Sequence, residues 1–234
     1  SEATTPISWK RRLYWVALAA VPSGLMLSTT SHLTTDLMAM PLLWVIPLAI
    51  YLLSFSVAFA DNQRPAYVFS RFAPLVMVTA GSFIFLQGNK AVINGLVASL
   101  SLLFVVAVAL HNEMYRTRPA PSQLTNFYLM MSIGGVIGGL FCAIVAPLLF
   151  DWTWEHPILI LAAAVLLPKI ALIPMHESNR KIPYVMAGFG LLAFALGVFG
   201  GVRAPETYDI LTAIIVTVVI ALGLVVAGFR VPFL

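Results

Sequence analysis

Apolar stretches about as long as a bilayer is thick recur along this chain, with short polar links between them. A helix rises 1.5 Å per residue, so about 20 apolar residues cross the hydrocarbon layer. The stretches are continuously apolar and do not alternate, which favours helices over barrel strands. We expect an all-α, polytopic integral membrane helix bundle. Eight spans are read, at about 13–32, 37–60, 66–86, 91–110, 124–150, 157–175, 182–200 and 210–229.

Composition excludes the main alternative. The 234 residues are 61% hydrophobic and 9% charged, whereas a soluble domain carries about 25% charged residues. The net charge of +4 is not a nucleic-acid signal, because the basic residues lie between apolar blocks and form no patch. They report topology instead. With eight spans, Lys10, Arg11, Arg12, Arg64, Arg71, Arg116, Arg118, Arg180, Lys181 and Arg230 fall on one side, against only Lys90 and Arg203 on the other. Positive charge accumulates on the cytoplasmic side, so both termini are expected there, in a multi-pass protein. The chain has no initiator Met, and both ends read as cut. We expect residues 1–234 to be a single transmembrane domain, part of a longer protein.

The stretch from His111 to Pro157 organises the rest. A loop bearing His111, Glu113, Arg116 and Arg118 leads into a span containing Gly134, Gly135, Gly138 and Gly139. Gly134 with Gly138, and Gly135 with Gly139, each share a helix face. Without Cβ atoms a neighbouring helix approaches closely, so this helix is expected to be central. Cys142 lies on the same span, where packing explains it and no intrachain disulfide is possible. Pro41 and Pro47 predict a bent second span.

Polar residues at the span ends supply the candidate sites. His32 and Asp36 sit four apart, beside Thr29, Thr30, Thr34 and Thr35, and Trp44 follows. Asp151, Trp152, Trp154, Glu155 and His156 belong to the same, outer side. Carboxylates and aromatic faces suit an organic cation, each cation–π contact contributing about 0.5–2 kcal/mol. Helix capping and interfacial tryptophan placement explain the same residues without a ligand. Metal ligation by His32, His156 and the acids lacks any local spacing. Lys169, between Pro168 and Pro174, is either an intramembrane functional cation or a side chain that snorkels from a span ending at Pro168. His111, Glu113, Arg116 and Arg118 offer cytoplasmic docking, or a solvated loop with a Glu113–Arg116 pair. No P-loop, dinucleotide fingerprint, zinc spacing or nucleophile elbow is found, so neither cofactor nor catalytic residue is assigned.

Two stretches carry a family resemblance. Trp15 to Phe55 reads WVALAAVPSGLMLSTTSHLTTDLMAMPLLWVIPLAIYLLSF. His111 to Pro157 contains HNEMYRTRPAP, LTNFYLMMSIGGVIGGLF and, after further apolar residues, WEHP. Together they resemble the membrane region of bacterial fused major-facilitator-like/spermidine synthase-like proteins. The resemblance implies the bacterial inner membrane, more membrane helices before this part, and a soluble aminopropyltransferase-like domain that would hold any catalytic activity. It implies a membrane anchor that binds or moves a small polyamine-like cation. A stand-alone transporter or permease subunit and a structural subunit of a larger complex are the alternatives. The lipid bilayer is the one partner common to all three.

Overall fold

The computed structural model describes residues 7–34, 42–87, 92–150 and 154–168. Among them the chain is helical, with no strand. The helices are α1 (Trp9–His32), α2 (Val45–Ala58), α3 (Arg64–Gln87), α4 (Val92–Arg116), α5 (Leu124–Leu140), α6 (Ala146–Leu149) and α7 (Glu155–Leu166). Among the described residues, three helical stretches are long and apolar enough to cross a membrane: Trp9–His32, Gly95–Arg116 and Pro121–Leu149. Val45–Ala58 and Glu155–Leu166 are shorter apolar helices. The spans read at 182–200 and 210–229 lie outside the described residues.

Several span limits differ from the sequence reading, each for a local reason. The second helix begins at Val45, after a turn at 42–44 in which Leu42 has φ 67°. That left-handed backbone costs an L-residue roughly 1–2 kcal/mol and breaks the run read as 37–60. Pro47 falls in the first turn of α2, where no N–H partner is lost, so it does not bend the helix. Pro41 lies outside the described residues. The fourth helix continues through His111 and Glu113 to Arg116. Thr117 closes it, donating both its N–H (3.0 Å) and its hydroxyl (2.9 Å) to Glu113 O. Pro121 then opens a 3-10 turn, Pro121–Gln123, before α5, because its missing N–H costs nothing at a helix start. The sixth span ends at Leu166. Leu167 is extended (ψ 140°), as the residue before a proline prefers.

The core draws most of its buried side chains from α1 and α4, including Trp15, Leu18, Leu25, Leu102, Leu103, Val106 and Leu110, and is completed by Met77 of α3, Phe127 of α5 and Ile160 of α7. Helices α1 and α4 run antiparallel. Trp15 Nε1 donates to Thr117 Oγ1 (3.1 Å), and Arg11 donates to Thr117 O (2.7 Å). Asn112 donates to Ser70 Oγ (2.9 Å), so the start of α3 joins the same end. Every Lys and Arg among the described residues belongs here: Lys10, Arg11, Arg12, Arg64, Arg71, Arg116 and Arg118. We call this the basic end.

Helix α5 climbs from the basic end parallel to α1. Ser23 Oγ donates to Gly135 O (3.0 Å) and Cys142 Sγ to Gly24 O (3.2 Å). A methyl on Gly134 or Gly138 would overlap the carbonyl oxygens of Val16 or Ala20. A methyl on Gly135 would meet nothing within 4 Å, and one on Gly139 only Leu27 at 3.9 Å. So one glycine pair makes the helix contact and the other does not. The glycine helix is not the centre of the described bundle; α1 and α4 are. Much of its surface is exposed and apolar, including Leu129, Val136, Leu140 and Leu148. It is also not one continuous α-helix over 124–150. A π turn at Phe141–Val145 separates α5 from α6, and such insertions recur at functional sites.

Candidate polar site at the end of the bundle away from the basic residues

The far ends of α1 and α5 and the start of α7 meet opposite the basic end. His156 enters from the first turn of α7 and is 3% exposed. Its Nδ1 lies 2.9 Å from Ser28 Oγ on α1, and the Ser28 hydroxyl donates to Leu25 O (3.2 Å). A hydroxyl has one proton. That proton serves either Leu25 O or Nδ1, so Ser28 accepts from Nδ1–H in one tautomer and donates to Nδ1 in the other. His156 Nε2 has no hydrogen-bond partner. The ring of His32 stacks on that of His156, centroids 5.4 Å apart at 15°. Glu155, beside them in the first turn of α7, is 9% exposed. It is within electrostatic range of Cys142 on the π turn. No Lys or Arg among the described residues lies at this end to neutralise it.

Of the residues singled out in the sequence, His32, Glu155 and His156 are therefore brought together. Trp154 adjoins them at the start of α7 and is partly buried. Trp44 is at the same end, since α2 runs parallel to α4, but it is half exposed and apart from the histidine stack. Asp36, Asp151, Trp152 and Lys169 lie outside the described residues. Among the described residues no group of three or more His, Cys, Asp or Glu could hold a metal ion. Ser28 is not among the residues singled out in the sequence. Its role follows from the register between α1 and α7, which no local spacing encodes.

The proposed docking loop at the basic end needs correction. His111 is on α4 and fully buried, so it cannot face a docking partner. Its Nδ1 is 2.9 Å from Ser54 Oγ, and Ser54 donates to Tyr51 O at 2.6 Å. Phe55 stacks on the ring with centroids 3.6 Å apart. Glu113 pairs with Arg116 at 3.5 Å within the helix, while Arg116 and Arg118 are exposed. The Arg118 guanidinium sits over the Tyr115 ring, 4.1 Å from its centroid. His111 Nε2 is unpartnered, and Ser54 keeps its bond to Tyr51 O if the imidazole is removed. His111→Leu should therefore change stability by less than about 1 kcal/mol, because both halves of the lost contact remain satisfied or apolar. Thermal unfolding in a fixed lipid checks this. A loss of several kcal/mol would mean that the imidazole holds more than Ser54.

No family model, no curated protein and no solved structure matches this chain.

Proposed function

We propose that this chain is the membrane-embedded domain of a spermidine synthase-like protein of the bacterial inner membrane. In this reading it crosses the bilayer eight times, with both termini cytoplasmic, and anchors a soluble aminopropyltransferase-like domain. Its polar end opposite the basic residues takes a small polyamine-like cation. Three long apolar helices and the gathering of the described Lys and Arg at one end support the membrane placement. The observation that carries the ligand reading is Glu155. Glu155 as a residue is 9% exposed and directly precedes His156 of the His32–His156 stack, with no described Lys or Arg at its end. A carboxylate at a largely buried helix start favours a cation beside it.

The test is binding of spermidine to the purified protein in lipid nanodiscs. Spermidine should raise the melting temperature saturably, and Glu155→Gln should weaken the apparent affinity by about tenfold or more, the size expected for losing a charge-assisted contact. An equal response in wild type and Glu155→Gln, or none in either, would remove this reading.

A further inference from the structure

Gly24, Ser28 and His32 recur at every fourth position of α1 and so share one face. The start of α7 covers all three. His156 sets its Nδ1 2.9 Å from Ser28 Oγ and stacks its ring on His32, centroids 5.4 Å apart. Leu159, one turn further along α7, covers Gly24, where a methyl would stand 3.0 Å from Leu159 Cδ2. The polar part of this contact is therefore one imidazole, on a residue 3% exposed that stands just before the apolar run beginning at Pro157.

A proton added to His156 acts against that contact. Nδ1–H remains satisfied, because Ser28 Oγ accepts from it while donating to Leu25 O. Nε2 is buried and has no partner, so the new N–H finds no acceptor and its charge is enclosed. Both are costly. The titratable groups around the ring are His32 of α1, Glu155 of the same turn of α7 and Cys142 of the π turn. Glu155 accepts nothing from Nε2, and a charge on His32 would repel one on His156. Helices α3 and α4 also pack on α7. Among the described residues their nearest titratable groups are Arg71 and His111, both toward the basic end. Burial, and after it His32, push the pKa of His156 down to about 3.

We propose that the first turn of α7 is a pH-operated latch on α1, shut over Gly24, Ser28 and His32 while His156 is neutral and opened when His156 takes up a proton. A free imidazole titrates near 6.5, and the enclosed one titrates below that. The latch thus holds at full strength above about pH 6.5. Below it, the ratio of shut to open falls about tenfold per pH unit. It needs no bound cation and so stands apart from the cation reading.

Cys142, the single cysteine of the chain, reports the opening. Its Sγ donates to the carbonyl of Gly24 (3.2 Å), the residue that Leu159 covers. The whole chain in nanodiscs is treated with dithiodipyridine, which reacts with thiols in acid as well as at neutral pH, and each rate is divided by that of a free cysteine peptide. The relative rate should be flat above about pH 6.5 and rise about tenfold per pH unit below it, with helical circular dichroism unchanged. His156→Gln has no titrating ring and should show no rise. Ser28→Ala removes the hydroxyl that holds the ring. It should react faster than wild type at neutral pH and keep the acid rise, which tests the latch even if the His156 variant folds poorly. A flat wild-type rate, an acid rise that persists in His156→Gln (as protonation of the buried His111 would give), or a rise that comes only with loss of helix would each overturn the latch.

Discussion

Gly138→Ala is expected to destabilise the bundle by about 3 kcal/mol, at the upper end of the usual cost of overpacking, whereas Gly135→Ala should change it by less than about 0.5 kcal/mol. The two substitutions are chemically identical and lie on the same helix. They differ in what the new methyl meets. At Gly138 it would overlap Ala20 O and stand 2.9 Å from Gly24 N. Both are backbone atoms, so no rotamer change relieves the clash, and α5 must move off α1. That movement would also stretch the contacts of Ser23 with Gly135 and of Cys142 with Gly24. At Gly135 the methyl meets nothing within 4 Å. Unfolding of both variants in the same detergent or lipid, with wild type alongside, measures the difference. Equal damage at the two positions would mean that α5 packs through both glycine pairs.

The second large effect is expected at Trp15. This side chain is fully buried and joins three helices at the basic end. Its Nε1 donates to Thr117 Oγ1 just after α4, its ring meets Phe127 of α5 edge-on with centroids 5.1 Å apart, and the Arg11 guanidinium lies 5.2 Å above it. Trp15→Ala removes the filler of that junction and should cost about 3 kcal/mol, chiefly through lost dispersion contacts and the cavity left behind. Trp15→Phe should cost only about 1 kcal/mol. The ring contact is largely kept, and the Thr117 hydroxyl retains its own bonds to Glu113 O and Met114 O (2.9 and 3.2 Å). Unfolding by titration with a denaturing detergent ranks the three proteins. A Phe variant as weak as the Ala variant would place the energy in the indole hydrogen bond instead.

Much of the fold is legible in the residues. Continuous apolar runs specify helices, because a backbone in hydrocarbon must satisfy its own N–H and C=O groups. The sorting of arginines among the links specifies which helix ends lie together, and the described helices agree. Helix limits were less legible. The reading stopped the fourth span before His111 because His, Asn and Glu look like loop residues. In the folded chain Ser54 and Ser70 give His111 and Asn112 polar partners, so the helix runs on. The composition of a segment does not reveal such partners, since they come from helices far away in sequence.

The candidate site divides in the same way. His32, Glu155 and His156 stand out in the sequence as polar residues at the ends of apolar runs. Ser28 does not, because a serine in an apolar helix normally satisfies itself on its own backbone. Its importance comes from register, as α7 sets an imidazole on Ser28. The sequence by itself determined that this chain forms apolar helices and that the described Lys and Arg sort to one end. Those properties follow from the local cost of placing backbone and charge in hydrocarbon. Only the tertiary structure decided which glycine pair touches α1, that His111 is buried, and which buried polar atoms are left unsatisfied. Each of these depends on the rotation and depth of one helix against another, which the packing of many side chains sets together.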